Sequence, residues 1–79
     1  MHPRTPKLLD DIRDAASIVV EVTRGKSLAD YAGDRLLRHA VERNFEIIGE
    51  AVKRIARNDP ASASALGAYP QMIALRNVL

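Results

Sequence analysis

The segment from Asp34 to Arg57 constrains the fold of this chain more than any other feature. Its apolar residues recur at helical spacing along the whole segment, and they are Leu37, Ala40, Val41, Phe45, Ile48, Ala51, Val52 and Ile55. Asp34 is a candidate N-cap, and Asn58-Asp59-Pro60 is a helix stop. The apolar arc is wider than a two-helix seam requires, so we expect this helix to contact more than one neighbour.

A second amphipathic helix is predicted from about Pro6 to Arg24. Thr5 is its candidate N-cap, and Pro6 suits the first helical position because its missing N–H is not needed there. Gly25 suits the C-terminal stop. One broad face of this helix is apolar, which indicates that it packs against the longer helix.

The remaining segments are shorter. Residues 27–32 are predicted to form a short connector or one helical turn capped by Ser27, with Tyr31 as its anchor. Residues 61–68 are rich in small side chains and form either a loop or a frayed helix. A third helix opens at Tyr69-Pro70 and is still periodic at Leu79, with no capping residue after it. We therefore expect residues 1–79 to be a single helical domain that is truncated at its C-terminus.

The fold class predicted from these segments is all-α, an antiparallel up-and-down helical bundle with an incomplete C-terminal helix. A chain of 79 residues, 47% hydrophobic and 28% charged, fits one small globular domain. Three helices, one of them incomplete, cannot cover such wide apolar arcs, which predicts a homodimer. We expect a cytoplasmic protein without a membrane helix, because no long apolar run and no secretory signal is evident.

Several kinds of chemistry are excluded by the composition. The absence of cysteine excludes disulfides, a cysteine-ligated zinc site and a thiol nucleophile. His2 lies in a terminus expected to be disordered, and His39 lies on the polar face of the long helix, so both are interpreted as solvated side chains. No metal site and no cofactor is predicted. A net charge of +2 does not by itself indicate nucleic-acid binding.

Two residues of the long helix are unusual for their positions. Asn44 falls within the apolar arc, where a buried amide costs about 1–3 kcal/mol unless it is hydrogen-bonded. Its amide either bonds a facing helix or orients a functional side chain across the bundle. Gly49 lies inside the helix, where glycine costs about 1 kcal/mol relative to alanine. Close approach of another backbone, in helix packing or at a subunit contact, would explain it.

Two further groups of polar residues are candidates for function. Arg43, Glu46 and Glu50 share one strip of the long helix, which is either a solvated face with Arg43–Glu46 and Glu50–Arg54 pairs or part of a site. Arg76 and Asn77 interrupt an apolar stretch of the third helix. That position suggests a cleft or an interface, although an ordinary surface arginine would also fit.

Taken together, these segments resemble a known family. The block from residue 40 to residue 54, AVERNFEIIGEAVKR, resembles the R-N-x-E-x-I-G-E-A helix of the HepT-like proteins of the HEPN superfamily. Residues 8–12, LLDDI, resemble the opening helix of that family, and residues 73–79, IALRNVL, resemble the start of its R-x4-H motif. HepT-like proteins are ribonuclease toxins paired with minimal nucleotidyltransferase (MNT-type) antitoxins.

The resemblance implies a four- or five-helix bundle that dimerises and cleaves RNA without a metal ion. It implies that Arg76 is the catalytic arginine of the motif, at a cleft on the dimer, and that Asn77 is the polar residue following it. Arg43, Asn44, Glu46 and Glu50 carry over as the polar strip of the family. We expect the strip to orient the arginine or to line the cleft.

The sequence departs from the family at its C-terminal end. The motif histidine, expected two positions past Leu79, is not in the chain, and neither are the tyrosine that often follows it and the final helix. We therefore expect this chain, as given, to be a poor or inactive ribonuclease. Two alternatives stay open: a non-catalytic dimerisation or nucleotide-binding module that engages a nucleotidyltransferase partner, and a truncated reading frame without function.

Overall fold

The computed structural model describes residues 1–78, and these residues form helices and no strand. Five α-helices follow one another in the chain, and a 3-10 turn at Leu66–Ala68 precedes the last of them. The helices are α1 (Thr5–Thr23), α2 (Leu28–Gly33), α3 (Arg35–Asn58), α4 (Pro60–Ala65) and α5 (Pro70–Val78). The all-α prediction is confirmed. Leu79, which the sequence places in the last helix, lies outside the described residues.

The two long helices, α1 and α3, make the most extensive contact and lie antiparallel, since the start of α1 bonds to the residue that follows α3. Helix α5 packs against α1, and α4 follows the end of α3. The resulting body is elongated, with extents of 41 × 20 × 14 Å. Its core contains Leu8, Ile12, Ala15, Ala16, Val19, Leu37, Val41, Ile48, Ala51, Ile55, Leu66 and Leu75.

Helix α3 begins and ends close to the predicted residues. The Asp34 carboxylate accepts a 3.0 Å hydrogen bond from the Leu37 backbone N–H, which confirms the predicted N-cap. Asp59 is the C-cap, as the Asn-Asp-Pro stop suggests. The apolar face predicted for this helix supplies five of the core residues above, so its amphipathic pattern is what places it in the bundle.

The connector between the long helices is a helix of six residues with a capping box. Ser27 Oγ accepts a 3.1 Å bond from the Asp30 N–H, and the Asp30 carboxylate accepts a 2.9 Å bond from the Ser27 N–H. That backbone donor, with the serine hydroxyl, lowers the pKa of Asp30. No residue of α2 is buried, although Tyr31 packs against the core as predicted. Gly25, with φ of +71°, provides the predicted stop after α1.

The prediction that Thr5 caps α1 from outside is wrong. The helix includes Thr5, and the preceding Arg4 makes no side-chain cap bond. The Thr5 side chain is only 1% exposed, and its hydroxyl donates a 2.8 Å bond to Asp59 Oδ2. A bond to a charged acceptor is stronger than one between a neutral hydroxyl and a backbone N–H, which explains why the hydroxyl turns away from its own helix.

Asp59 also accepts bonds from two other residues. The His2 backbone N–H donates at 2.9 Å and the Ser62 hydroxyl at 2.9 Å, and the Ser62 N–H caps α4 at 3.3 Å. The His2 bond, followed by those from Thr5 and Ser62, holds the pKa of Asp59 well below its usual range. The expectation of a disordered terminus around His2 is therefore wrong, because this carboxylate fixes it to the corner between α3 and α4.

None of the helices formed by the described residues combines the length and the apolar character needed to cross a lipid bilayer.

Candidate functional site

The polar strip of α3 borders a shallow groove between α1 and α3. The groove has a volume of about 220 Å³ and is lined by Leu8, Asp11, Arg43, Glu46, Ile47, Glu50, Ala51 and Arg54. The apolar members form its floor, and the charged members lie at its rim. Arg43, Glu46 and Glu50 are all exposed. Their spacing of three and four residues puts them on one face of α3. The fold thus presents these three side chains, with Arg54, on one accessible surface.

The predicted ion pairs along the strip are present. Arg43 Nη1 lies 3.5 Å from Glu46 Oε2, and Arg54 Nε lies 3.3 Å from Glu50 Oε1. All four side chains are more than half exposed, and exposed pairs of this kind contribute roughly 0.2–1 kcal/mol. Because the pairs are this weak, either arginine can exchange its carboxylate for a ligand oxygen at little cost.

Within the part of the chain that the structure describes, Asn44 does not make the interhelical bond that we expected. Its side chain is buried, and Nδ2 donates a 2.7 Å bond to the carbonyl of Ala40 in the same helix. An amide side chain at this position reaches the carbonyl one turn back, which satisfies it without a second helix. Asn44 therefore lies among the core residues of α3, and the structure separates it from the exposed strip.

Gly49 has no close neighbour within the described chain. It is exposed, and a Cβ placed on it would meet no atom within 4 Å. The predicted close approach of another backbone is therefore wrong for packing within one copy. A contact with a second subunit at Gly49 stays a prediction.

Arg76 and Asn77 lie on the outer side of α5. Leu75 is buried, whereas both polar residues are exposed. Arg76 forms no ion pair with any other described residue, and it does not line the groove beside the polar strip. One copy of the chain therefore does not bring Arg76 to Arg43, Glu46 and Glu50. The prediction that they meet at a dimer cleft concerns a second subunit and stays a prediction.

Comparison with known proteins identifies the family. The model of the family described as ribonuclease HepT-like matches residues 12–79. The chain belongs to the HepT-like family. A relative from Methanocaldococcus jannaschii with the printed name "Putative RNase MJ1380" is 35% identical over 71 residues, which cover 90% of this chain. The HepT-like chain spans 64% of the length of that relative. No solved structure gives a significant match.

The family match covers all six residues that the sequence analysis assigned to the site. It excludes residues 1–11, and therefore excludes Thr5 and His2, which bond to Asp59. From the sequence, Asp59 was expected only to end a helix. An aspartate before proline at a helix junction signals a second role, as the N-cap of the next helix, but no sequence signal connects it to Thr5.

A second, larger groove of this HepT-like chain was not predicted. It lies at the end of α1, beside α2 and the first half of α3, and has a volume of about 1190 Å³. Its apolar lining includes Val20, Leu28, Tyr31, Val41 and Phe45. Leu28 at its edge is 83% exposed, and Leu36 nearby in sequence is 80% exposed. This end of the bundle therefore retains apolar surface that one copy of the described chain does not cover.

The described residues bring together no group of three His, Asp or Glu side chains that could ligate a metal ion. His39 is exposed on α3, in agreement with its interpretation as a solvated side chain.

Proposed function

We propose that this HepT-like protein is the RNA-cleaving toxin of a toxin–antitoxin pair and that Arg76 is its catalytic arginine. The family match, which includes Arg76 and Asn77, and the ribonuclease name of the 35% identical relative support this proposal. The single observation that carries it is the placement of Arg76, exposed and without an ion-pair partner among the described residues, where its guanidinium is available to a phosphate.

The proposed reaction is transesterification of the RNA backbone. The ribose 2′-oxygen attacks the adjacent phosphorus, the bond from phosphorus to the 5′-oxygen breaks, and a 2′,3′-cyclic phosphate and a free 5′-hydroxyl result. The planar fork of Arg76 would contact two non-bridging oxygens and stabilise their extra negative charge. The dependence on a 2′-hydroxyl restricts cleavage to RNA.

Two proton transfers complete the reaction. One group removes the proton of the 2′-hydroxyl and another protonates the leaving 5′-oxygen, and an imidazole with a pKa near neutrality serves in both roles. In the R-x4-H motif this imidazole falls five residues after Arg76, past the last residue of the sequence. An arginine and a histidine together provide the charge and the proton transfers, so the proposed reaction is metal-independent.

The proposal includes partners as well as a substrate. It places the protein in the cytoplasm as a homodimer that is neutralised by an MNT-type nucleotidyltransferase antitoxin. The exposed leucines beside the larger groove and the uncovered surface at Gly49 support association with another chain, because exposed apolar patches commonly mark protein contacts.

A ribonuclease assay tests the proposal. The full reading frame that contains this chain is incubated with single-stranded RNA in the presence of EDTA, and products are separated on a denaturing gel. We expect cleavage that Arg76→Ala reduces by about 100-fold or more, the usual effect of removing one charge-stabilising donor. Arg35→Ala, which removes another exposed arginine, is the matched control and should cleave at the wild-type rate. Cleavage unaffected by Arg76→Ala would overturn the assignment.

A non-catalytic module that binds a nucleotidyltransferase partner is the second candidate function. The groove of about 1190 Å³ favours it, because that groove is large enough to receive an element of another protein. Co-purification with the nucleotidyltransferase, together with RNA left intact by the full reading frame, would support this candidate against the first.

A further inference from the structure

Charge is unevenly distributed along this chain. Residues 51–79 contain four cations and one anion, Asp59, whereas residues 1–50 contain eight cations and nine anions. Three of the four cations, Lys53, Arg54 and Arg57, lie in the last two turns of α3, and all three are exposed. The positive charge that residues 51–79 contribute is therefore concentrated at the C-terminal end of the longest helix.

The single anion of this region does not offset those cations at the surface. Asp59 is buried and accepts hydrogen bonds from the His2 N–H, the Thr5 hydroxyl and Ser62. Its lone pairs are directed at these donors, away from solvent. Glu50 is the nearest exposed carboxylate along the helix, and it is already paired with Arg54. From α1, Asp11 lines the groove beside Arg54, and it is already paired with Lys7. Lys53 and Arg57 form no ion pair among the described residues.

The Thr5–Asp59 bond brings a further cation to the same end. Arg4 precedes Thr5 directly and is exposed, so the 2.8 Å bond between Thr5 and Asp59 places Arg4 beside the C-terminal turn that carries Arg57. Arg4 and Arg57 are far apart in sequence, and the bonds to Asp59 bring them to the same end of the bundle. Lys53 and Arg57, four residues apart, lie on the same face of α3.

Helix dipoles do not account for this arrangement. Cations at the C-terminal end of α3 complement its dipole, but Arg4 lies at the N-terminal end of α1, where the dipole disfavours a cation. A shared polyanionic ligand accounts for all three residues, because each would contact a different phosphate of one strand.

We propose that Arg4, Lys53 and Arg57 form a docking patch for the sugar–phosphate backbone of RNA. The choice of RNA as the ligand rests on the proposed function, but the patch binds and does not cleave. It holds the strand by charge alone and carries no sequence preference, so a DNA strand of equal length binds to it as well. Its role is to raise the local concentration of substrate for a reaction that occurs elsewhere on the protein.

A binding experiment with a matched control tests the patch. Fluorescence anisotropy of a labelled single-stranded RNA is measured with the wild type, with Lys53→Ala/Arg57→Ala, and with Lys26→Ala/Arg35→Ala. The control removes the same charge near the other end of α3, and Arg35 lies about 33 Å from Arg57 along the helix axis. That distance exceeds the Debye length of about 8 Å, so the two ends bind independently.

We expect the patch variant to bind roughly 10- to 30-fold more weakly at about 0.1 M salt, because two phosphate contacts are lost. The slope of log affinity against log salt should become shallower by about 1.4. The control should bind within about threefold of the wild type at the same salt. Arg4→Ala should weaken binding and flatten the slope in the same direction, which distinguishes the patch from a local effect on α3.

Equal weakening by the two double variants would overturn the patch, since net charge alone would then explain binding. Circular dichroism of each variant verifies that the helices are intact. The ribonuclease assay, run on the same preparations, separates the two proposals. RNA cleavage with normal binding by the patch variant refutes the patch and keeps the nuclease, whereas patch-dependent binding without cleavage refutes the nuclease and keeps the patch.

Discussion

The Thr5 hydroxyl donates a 2.8 Å hydrogen bond to the carboxylate of Asp59, which lies 54 positions further along the chain. This bond joins the first residue of α1 to the corner where α3 gives way to α4. The hydroxyl is buried and the acceptor is charged, which makes the bond stronger than a typical neutral one. It closes the antiparallel pair of long helices at the end opposite to their connector.

Replacing Thr5 by valine should destabilise the protein measurably. Valine keeps the β-branched shape but removes the donor, and we expect the free energy of unfolding to fall by about 1–2 kcal/mol. Urea denaturation followed by circular dichroism provides the measurement. Thr23→Val is the matched control, because the Thr23 hydroxyl bonds only to carbonyls of its own helix and should contribute far less. Equal effects of the two substitutions would contradict the role assigned to Thr5.

Stability should also decrease in acid in a way that depends on Asp59. Its hydrogen bonds lower its pKa in the folded protein below the value in the unfolded chain, so the unfolded state takes up a proton first as the pH falls. The ionised Asp59 carboxylate stabilises the folded state fully above the pKa of about 4 that it has in the unfolded chain, and this stabilisation is lost progressively below that pH. We expect the urea midpoint of the wild type to fall more steeply from pH 6 to pH 3 than that of Asp59→Asn. If the urea midpoints of the two proteins fell equally with pH, Asp59 would not be the source of the acid sensitivity.

Two glycine substitutions should change the free energy of unfolding in opposite directions. Gly49→Ala places a methyl group in open space on a regular helix, and we expect the free energy of unfolding to rise by about 0.5–1 kcal/mol. Gly25→Ala should lower it by a similar or larger amount, since φ of +71° disfavours any side chain. If a second copy packs against Gly49, the added methyl group will weaken that contact. The gain in the free energy of unfolding will then shrink as the protein concentration rises, and sedimentation will detect weaker association.

Shortening the buried side chain of Ile55 should lower the free energy of unfolding more than the same substitution at the surface. Ile55 is fully buried, and Ile55→Val should reduce the free energy of unfolding by about 0.5–1.5 kcal/mol through lost contacts and a small cavity. Ile18→Val is the control, because Ile18 is 37% exposed and water can occupy the vacated space. Thermal unfolding provides the comparison. An equal loss of stability in the two variants would contradict the burial of Ile55 in the core.

The long helices could be predicted from sequence because their causes are local. The apolar period of α3 and its Asp34 cap depend on residues within a few positions of one another, and both are present. The short helix α2 was expected from its Ser27 cap for the same reason, and the reciprocal bond of Asp30 was not predicted. Local hydrogen bonds and helical spacing are properties that a single segment carries by itself.

The mistaken predictions involve choices between alternative partners. The Thr5 hydroxyl could bond its own helix or a distant carboxylate, and only the packing of α1 on α3 brings Asp59 within reach. The Asn44 amide could bond a facing helix or the Ala40 carbonyl, and the closer acceptor takes it. Sequence shows that a polar group needs a partner, but it does not show which one the fold supplies.

The candidate site is predictable in part. The strip formed by Arg43, Glu46 and Glu50 follows from helical spacing, and its exposure and its two ion pairs, one of them with Arg54, were expected. The place of Arg76 relative to that strip depends on how α5 packs and on any second subunit, neither of which is encoded in the spacing of a single helix. The larger groove escaped prediction because it arises between three elements that are separate in sequence.

Helix α2 has no buried residue and is held by its reciprocal cap between Ser27 and Asp30. Its backbone amides should therefore exchange with deuterium long before those of α1 and α3, which share the hydrophobic core. A segment that opens at low cost on the border of the groove of about 1190 Å³ would let this edge of the bundle adjust its outline to the proposed partner chain while the antiparallel pair beneath it stays rigid.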